Sequence, residues 1–163
     1  MRTLVLMRHA KSDYPEGVGD HERPLADRGI REAGLAGEWL RANFPVIDAV
    51  LCSSATRTRQ TLGRTAVDAP TEFLDRLYGA SPGEVIDEIK KVGDDVSTLL
   101  VVGHEPTMSH LALGLAGPGS DREAAEQIDR KYPTSAIAVL RVPGPWADLG
   151  LSGAELTSFH VPR

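Results

Sequence analysis

Four short, almost unbroken apolar runs, at Thr3 to Met7, Asp48 to Cys52, Thr98 to Val102 and Ala136 to Val142, limit what this chain can become. A strand wetted on one face alternates apolar and polar residues, whereas a strand covered on both faces has no polar side to show. These runs are of the second kind. A weaker candidate follows at Leu156 to Val161, after a turn at Pro143 to Pro145. Helical spacing fills the earlier intervals. From Asp27 to Phe44, Ile30, Ala33, Leu35, Trp39 and Leu40 make an apolar stripe, Arg28, Arg31, Glu32, Glu38 and Arg41 fill the other face, and Pro45 closes the helix. Further helices are expected from Ser54 to about Val67, from Pro82 to Val92 with Ser81 as N-cap, and from Glu105 or Pro106 to Leu115. Buried strands separated by helices call for a mostly parallel sheet covered on both faces. The expected fold class is therefore α/β, a three-layer αβα sandwich.

With 163 residues, 41% of them hydrophobic and 25% charged, the chain fits a single domain over residues 1–163, undivided by any repeat or linker. A formal charge of -5 provides no general basic footprint, so neither nucleic acid nor a membrane is an expected partner, and a bound anion must rely on local arginines. The lone cysteine, Cys52, cannot form an intramolecular disulfide and sits in an apolar run, which fits a reducing cytoplasm. Only Arg2 separates Met1 from the first strand, and that strand is too short for a signal-peptide core or a membrane span. The N-terminus reads as structure, and the expected location is cytoplasmic.

Polar groups cluster where the strands stop. The first strand ends in Arg8-His9, the second runs into Ser53-Ser54 with Arg57 one turn into the next helix, and the Thr98 to Val102 strand ends in Gly103-His104. In an open parallel sheet, ligands bind outside the carboxyl ends of the strands, so Arg8, His9, Arg57 and His104 are able to converge on one crevice. Two guanidiniums and two imidazoles suit a compact, multiply charged anion, and phosphoryl is the natural candidate. One imidazole, His9, then approaches phosphorus as nucleophile while the other three groups hold its oxygens. This clamp supplies positive charge where the transition state spreads its negative charge, so no metal or other cofactor is required.

These residues carry a family resemblance. Leu6-Met7-Arg8-His9-Ala10-Lys11-Ser12 resembles the Arg-His-Gly/Ala signature of the histidine phosphatase superfamily. Ser53-Ser54-Ala55-Thr56-Arg57-Thr58-Arg59-Gln60-Thr61 resembles its Ser-Pro-x-x-Arg-x-x-Gln-Thr segment, and Val102-Gly103-His104-Glu105-Pro106 its second histidine motif. The short length, the Arg-His-Ala-Lys-Ser opening and Asp20-His21-Glu22-Arg23-Pro24-Leu25 are most similar to the SixA-type phosphohistidine phosphatases. The resemblance implies a phosphoglycerate mutase-like fold, with the nucleophile at His9 and phosphate ligands at Arg8, Arg57 and His104. Ala10 stands where the family has glycine and Ser54 where it has proline; neither change removes a charge.

Ester cleavage expels an alkoxide whose parent alcohol is about as weakly acidic as water, roughly 15.7, so a proton donor matters. Asp75, in a stretch resembling the mutase segment that carries the acid, competes for that role with Asp20 and Glu22 on the loop after the nucleophile. If the substrate is phosphohistidine, the leaving imidazole, with a pKa of about 6.5, departs as a neutral ring and the acid becomes optional. The expected activity is transfer of phosphoryl to His9 and then to water, from phosphohistidine on a partner protein, with inorganic phosphate as product. A small-molecule phosphomonoesterase and a non-catalytic phosphate-binding module are the alternatives. Ser12 either donates to phosphate or caps a turn. Arg23 is read as fixing its loop through Asp20, His21 as a solvated loop residue, and His110 and His160 as no part of the site.

Overall fold

In the computed structural model, which describes residues 1–163, the first strand, β1 (Arg2–Arg8), has no polar side. Leu4 and Leu6 pack on one face, Val5 and Met7 on the other, and all four are completely buried. The same division recurs in β2 (Ala49–Ser53) and β4 (Thr98–Gly103): Leu51, Leu99 and Val101 join the first face, while Val50, Cys52, Leu100 and Val102 join the second. Period-two alternation thus survives, with both phases apolar. Helices cover each side. α1 (Asp27–Asn43) and α2 (Thr56–Thr65) lie over the second face; α3 (Pro82–Lys90), α4 (Thr107–Leu115) and α5 (Arg122–Arg130) lie over the first.

With β3 (Thr71–Leu74), β5 (Ile137–Val142) and β6 (Glu155–His160), the sheet has six strands in the order β3-β2-β4-β1-β5-β6. β1 to β4 run parallel; on the far side of β1, β5 pairs antiparallel with β1 and β6 pairs antiparallel with β5, so β5 alone runs against the others. From β1 the chain crosses by α1 to β2; after β4 it passes to the opposite side of β1 as β5. Ligand crevices form where successive connections diverge in this way. The architecture is the α/β, αβα arrangement expected. No helix is long and apolar enough to cross a membrane.

Several boundaries and faces differ from the sequence reading. α2 starts at Thr56 and α4 at Thr107, each about a turn or less inside its expected start. β3 and α5 add two elements with weak apolar signals: Glu72 and Phe73 are exposed at the sheet edge, and α5 buries only Ala124 and Ile128. In α1, Leu35 is 40% exposed and Trp39 only half-buried, while Glu32 is buried. The buried face runs instead through Gly29, Ala33, Ala36, Gly37 and Leu40. Close backbone approach explains this choice. A Cβ on Gly37 would lie 2.1 Å from the Thr65 carbonyl oxygen of α2, and one on Gly29 would lie 2.0 Å from that of Lys11. Small residues therefore mark the contact line better than large ones.

Trp146 is fully buried, with its indole N–H donating to the Val96 carbonyl at 2.8 Å. Cys52 is buried in mid-sheet, and burial pushes its thiol up to about 12.

The α1 glycines separate two effects. Gly34 has no heavy atom near its would-be Cβ, so Gly34→Ala should raise stability by about 0.5–1 kcal/mol through helix propensity. Gly37→Ala should lower it by about 1–3 kcal/mol because α1 and α2 must separate. Urea denaturation of the two variants checks both signs.

Candidate active site

Parallel pairing of β1 with β4 puts Arg8 opposite Gly103, so the next residues, His9 and His104, leave the sheet side by side. Their ring centroids are 5.3 Å apart. The backbone of His9 is fixed at both ends: its N–H donates to the Gly103 carbonyl at 3.0 Å, and its carbonyl accepts from the Ser135 N–H at 3.1 Å. Arg57 arrives from the first turn of α2. Thr58 holds that turn, its hydroxyl lying 2.8 Å from the carbonyls of both Ser53 and Ala55. The Thr61 hydroxyl then joins the elements, accepting from the Ala10 N–H at 2.9 Å and donating to the Arg57 carbonyl at 2.7 Å. Gln60 accepts from the Leu25 N–H at 2.8 Å, anchoring the loop after the nucleophile position. The Gln-Thr pair of the second motif is therefore scaffold.

Arg8, His9, Arg57 and His104 open into one pocket of about 210 Å³. Ser12 lines it too, with its buried hydroxyl accepting from Arg23 at 2.8 Å. Three buried nitrogens among these groups have no protein partner: Arg8 Nε, Arg57 Nε and His104 Nδ1. Buried polar nitrogens left unpaired are rare and costly, and all three belong to residues that line the pocket. Protein acceptors take only part of the remaining guanidinium capacity. Arg8 donates to the Tyr132 carbonyl at 2.9 Å, and Arg57 to the Asp20 carbonyl at 2.7 Å and to its carboxylate at 3.2 Å.

His9 is neutral. Burial, reinforced by His104, Arg57 and Arg8, pushes its pKa from 6.5 down to about 3, against the opposing effect of its bond to Ala10. That bond, 2.7 Å from Nδ1 to the Ala10 carbonyl, identifies the tautomer, because a carbonyl only accepts. Nδ1 carries the proton, and the lone pair is on Nε2. Burial and Arg57 likewise lower His104 to about 4.

The candidate acids separate. Asp20 stands over Arg57, with its carboxyl also bonded to Tyr78 and Arg23. The Tyr78 hydroxyl, aided by the two arginines, lowers its pKa to about 2. Asp75 is exposed in a short turn (Asp75–Leu77) and Glu22 is exposed on its loop; neither lines the pocket. His21, expected to be solvated, is half-buried, 3.0 Å from the Ser54 hydroxyl and edge-on to Tyr78. The loop folds back onto α2, which the local string of charged residues does not disclose. Arg23 does pair with Asp20, at 3.1 Å, and lines the pocket as well. The sequence reading assigned no role to Lys11, Tyr14, Glu105 and Thr134, which also line it, or to Tyr78. Of these, Glu105 directly follows His104 and Lys11 lies two residues after His9, so both stand within the motifs.

A family model for the histidine phosphatase superfamily (branch 1) matches residues 4–91. The chain belongs to the histidine phosphatase superfamily. It is 66% identical to the Mycobacterium tuberculosis (strain H37Rv) protein Rv1276c, over 96% of this chain and all of that relative. It is 29% identical to the phosphohistidine phosphatase SixA of Escherichia coli K12, over 83% of this chain and 82% of that one. A solved structure assigned to SixA, from Nakamurella multipartitia, superposes with a TM-score of 0.91 at 42% identity, covering 99% of this chain and 96% of the other.

Two imidazoles held neutral by folding make stability depend on pH. Between the unfolded pKa of 6.5 and folded values of about 3 and 4, the unfolded chain binds more protons, so stability falls as pH falls. The expected loss is on the order of 1–2 kcal/mol per pH unit between about pH 6 and 4.5. Urea titrations across this range check it, and His9→Gln should flatten the slope.

Proposed function

We propose that this phosphatase hydrolyses phosphohistidine on a partner protein, with His9 as nucleophile. The observation that carries the reading is the lone pair of His9 Nε2, left over by the Nδ1–H bond to Ala10, in a pocket that Arg8, Arg57 and His104 also line. Nε2 attacks phosphorus in line as the bond from phosphorus to the leaving nitrogen breaks. Arg8, Arg57 and His104 hold the equatorial oxygens, with Ser12 at the pocket wall. Water then attacks the phosphoryl group on Nε2, releasing inorganic phosphate and restoring the neutral ring.

Leaving-group chemistry supports the substrate class. Asp20, the carboxylate held over Arg57, is kept ionised and is a poor proton donor at neutral pH. Asp75 and Glu22 lie away from the pocket, and Glu105, which lines it, accepts from the Ser109 N–H at 2.6 Å. An alkyl ester needs such a donor. Phosphohistidine protonated on its other ring nitrogen releases neutral imidazole without one. At the rim, Tyr14 is 72% exposed, with the Arg23 guanidinium 4.1 Å from its ring centroid, and offers an aromatic surface to a planar leaving group.

Purified protein should dephosphorylate a phosphohistidine protein with kcat/KM at least about 100-fold above that for alkyl phosphomonoesters. Ready hydrolysis of the esters, with the phosphohistidine protein untouched, would reverse the assignment in favour of a small-molecule phosphomonoesterase. His9→Ala should reduce turnover by about 10³-fold or more and abolish acid-labile labelling of the enzyme. Vanadate should inhibit and EDTA should not. Tyr14→Ala should raise KM for phosphohistidine more than for phosphoramidate, which has no ring.

A further inference from the structure

His104 rests against the end of β2. Ser53 ends β2 with no exposed surface, and its Oγ lies 2.8 Å from His104 Nε2. Two bonding patterns share that distance: the hydroxyl donates to an Nε2 lone pair, or an Nε2–H donates to the hydroxyl. The surroundings distinguish them. Ser53 Oγ already accepts from the Ala55 N–H at 3.3 Å, and the only other group within reach of the hydroxyl is His104 Nε2. Were Nε2 also a donor, the hydroxyl hydrogen would be buried without an acceptor, an arrangement folded proteins avoid.

We propose that Ser53 is a positioning residue that fixes the tautomer of His104, its hydroxyl donating to Nε2 so that the ring proton sits on Nδ1 and is presented to the bound phosphoryl group. Nδ1 is the buried, unpartnered nitrogen of a ring that lines the pocket. Burial and Arg57 keep the ring neutral, so it has one proton to place.

The two histidines of the site then share one tautomer and present opposite chemistry. In His9 the Nδ1–H is taken by the Ala10 carbonyl, which leaves a lone pair free at Nε2. In His104 the Nε2 lone pair is taken by the Ser53 hydroxyl, which leaves an N–H free at Nδ1. A backbone acceptor makes one ring a nucleophile, and a hydroxyl donor makes its neighbour an oxyanion ligand.

The inference rests on the reading that this pocket receives phosphoryl groups, and the test separates the two. Long-range ¹H–¹⁵N correlation spectra of the uniformly labelled wild-type chain at neutral pH should show both His9 and His104 protonated at Nδ1. An Nε2-protonated His104 would overturn the role of Ser53 whatever the activity. In Ser53→Ala, the Nε2–H tautomer of His104 should appear, and inorganic phosphate should bind about tenfold more weakly with the melting transition retained. Unchanged phosphate affinity together with an unchanged His104 tautomer would also refute it. Failure of the wild-type chain to bind phosphate at all would instead remove the phosphoryl reading. If Ser53→Ala does not fold, the wild-type tautomer decides alone.

Discussion

The register between β1 and β4 is the constraint on which the site depends. Parallel pairing of Leu6 with Val101 and Met7 with Val102 continues to Arg8 opposite Gly103, and it delivers two histidines 95 positions apart in sequence to the same height above the sheet. A slip of one residue would invert every side chain of a strand that is apolar on both faces. Such a strand loses little hydrophobic burial by slipping, so its register needs other anchors. The ends provide them, through the bonds from the His9 N–H to Gly103 and from the Ser135 N–H to His9. The Thr61 bridge between Ala10 and Arg57 extends the same anchoring to the second strand end.

Burial and charge act together on the imidazoles. A histidine beside arginines is already disfavoured as a cation, and removal from water lowers its pKa further. Such a ring carries a single proton, and its placement follows from the groups around it. Ala10 and Ser53, which have no charge, thereby determine what the two rings offer to the pocket. In the proposed mechanism the cations hold the anion, and the neutral backbone and hydroxyl groups choose which ring attacks it.

The strand ends were legible because a buried parallel sheet leaves few places for cations. Arg8, His9, Arg57 and His104 all lie in one pocket, as their positions after apolar runs implied. The α/β class followed from the same runs. What escaped the sequence was long-range or made of small residues. Helical periodicity assigned Leu35 to the core of α1, but backbone approach at Gly37 and Gly29 rotates the buried face onto small side chains. Tyr78 and His21 meet only after the loop around Asp20 folds onto α2, so no local spacing announces them. Asp75 lies in a motif-like stretch, but a short turn leaves it exposed and outside the pocket lining. Edge strand β3 and polar helix α5 have too few buried positions for a pattern to register.

The state of Cys52 bears on how such an enzyme withstands oxidants. Thiolate nucleophiles in hydrolases must be exposed and acidic, which makes them easy targets for peroxide. In this chain the proposed reacting atom is an imidazole nitrogen, and the sole sulfhydryl is buried within the sheet, which pushes its pKa up to about 12. A thiol so placed is a poor target for peroxide, so the proposed histidine chemistry does not carry the oxidant sensitivity of an exposed thiolate.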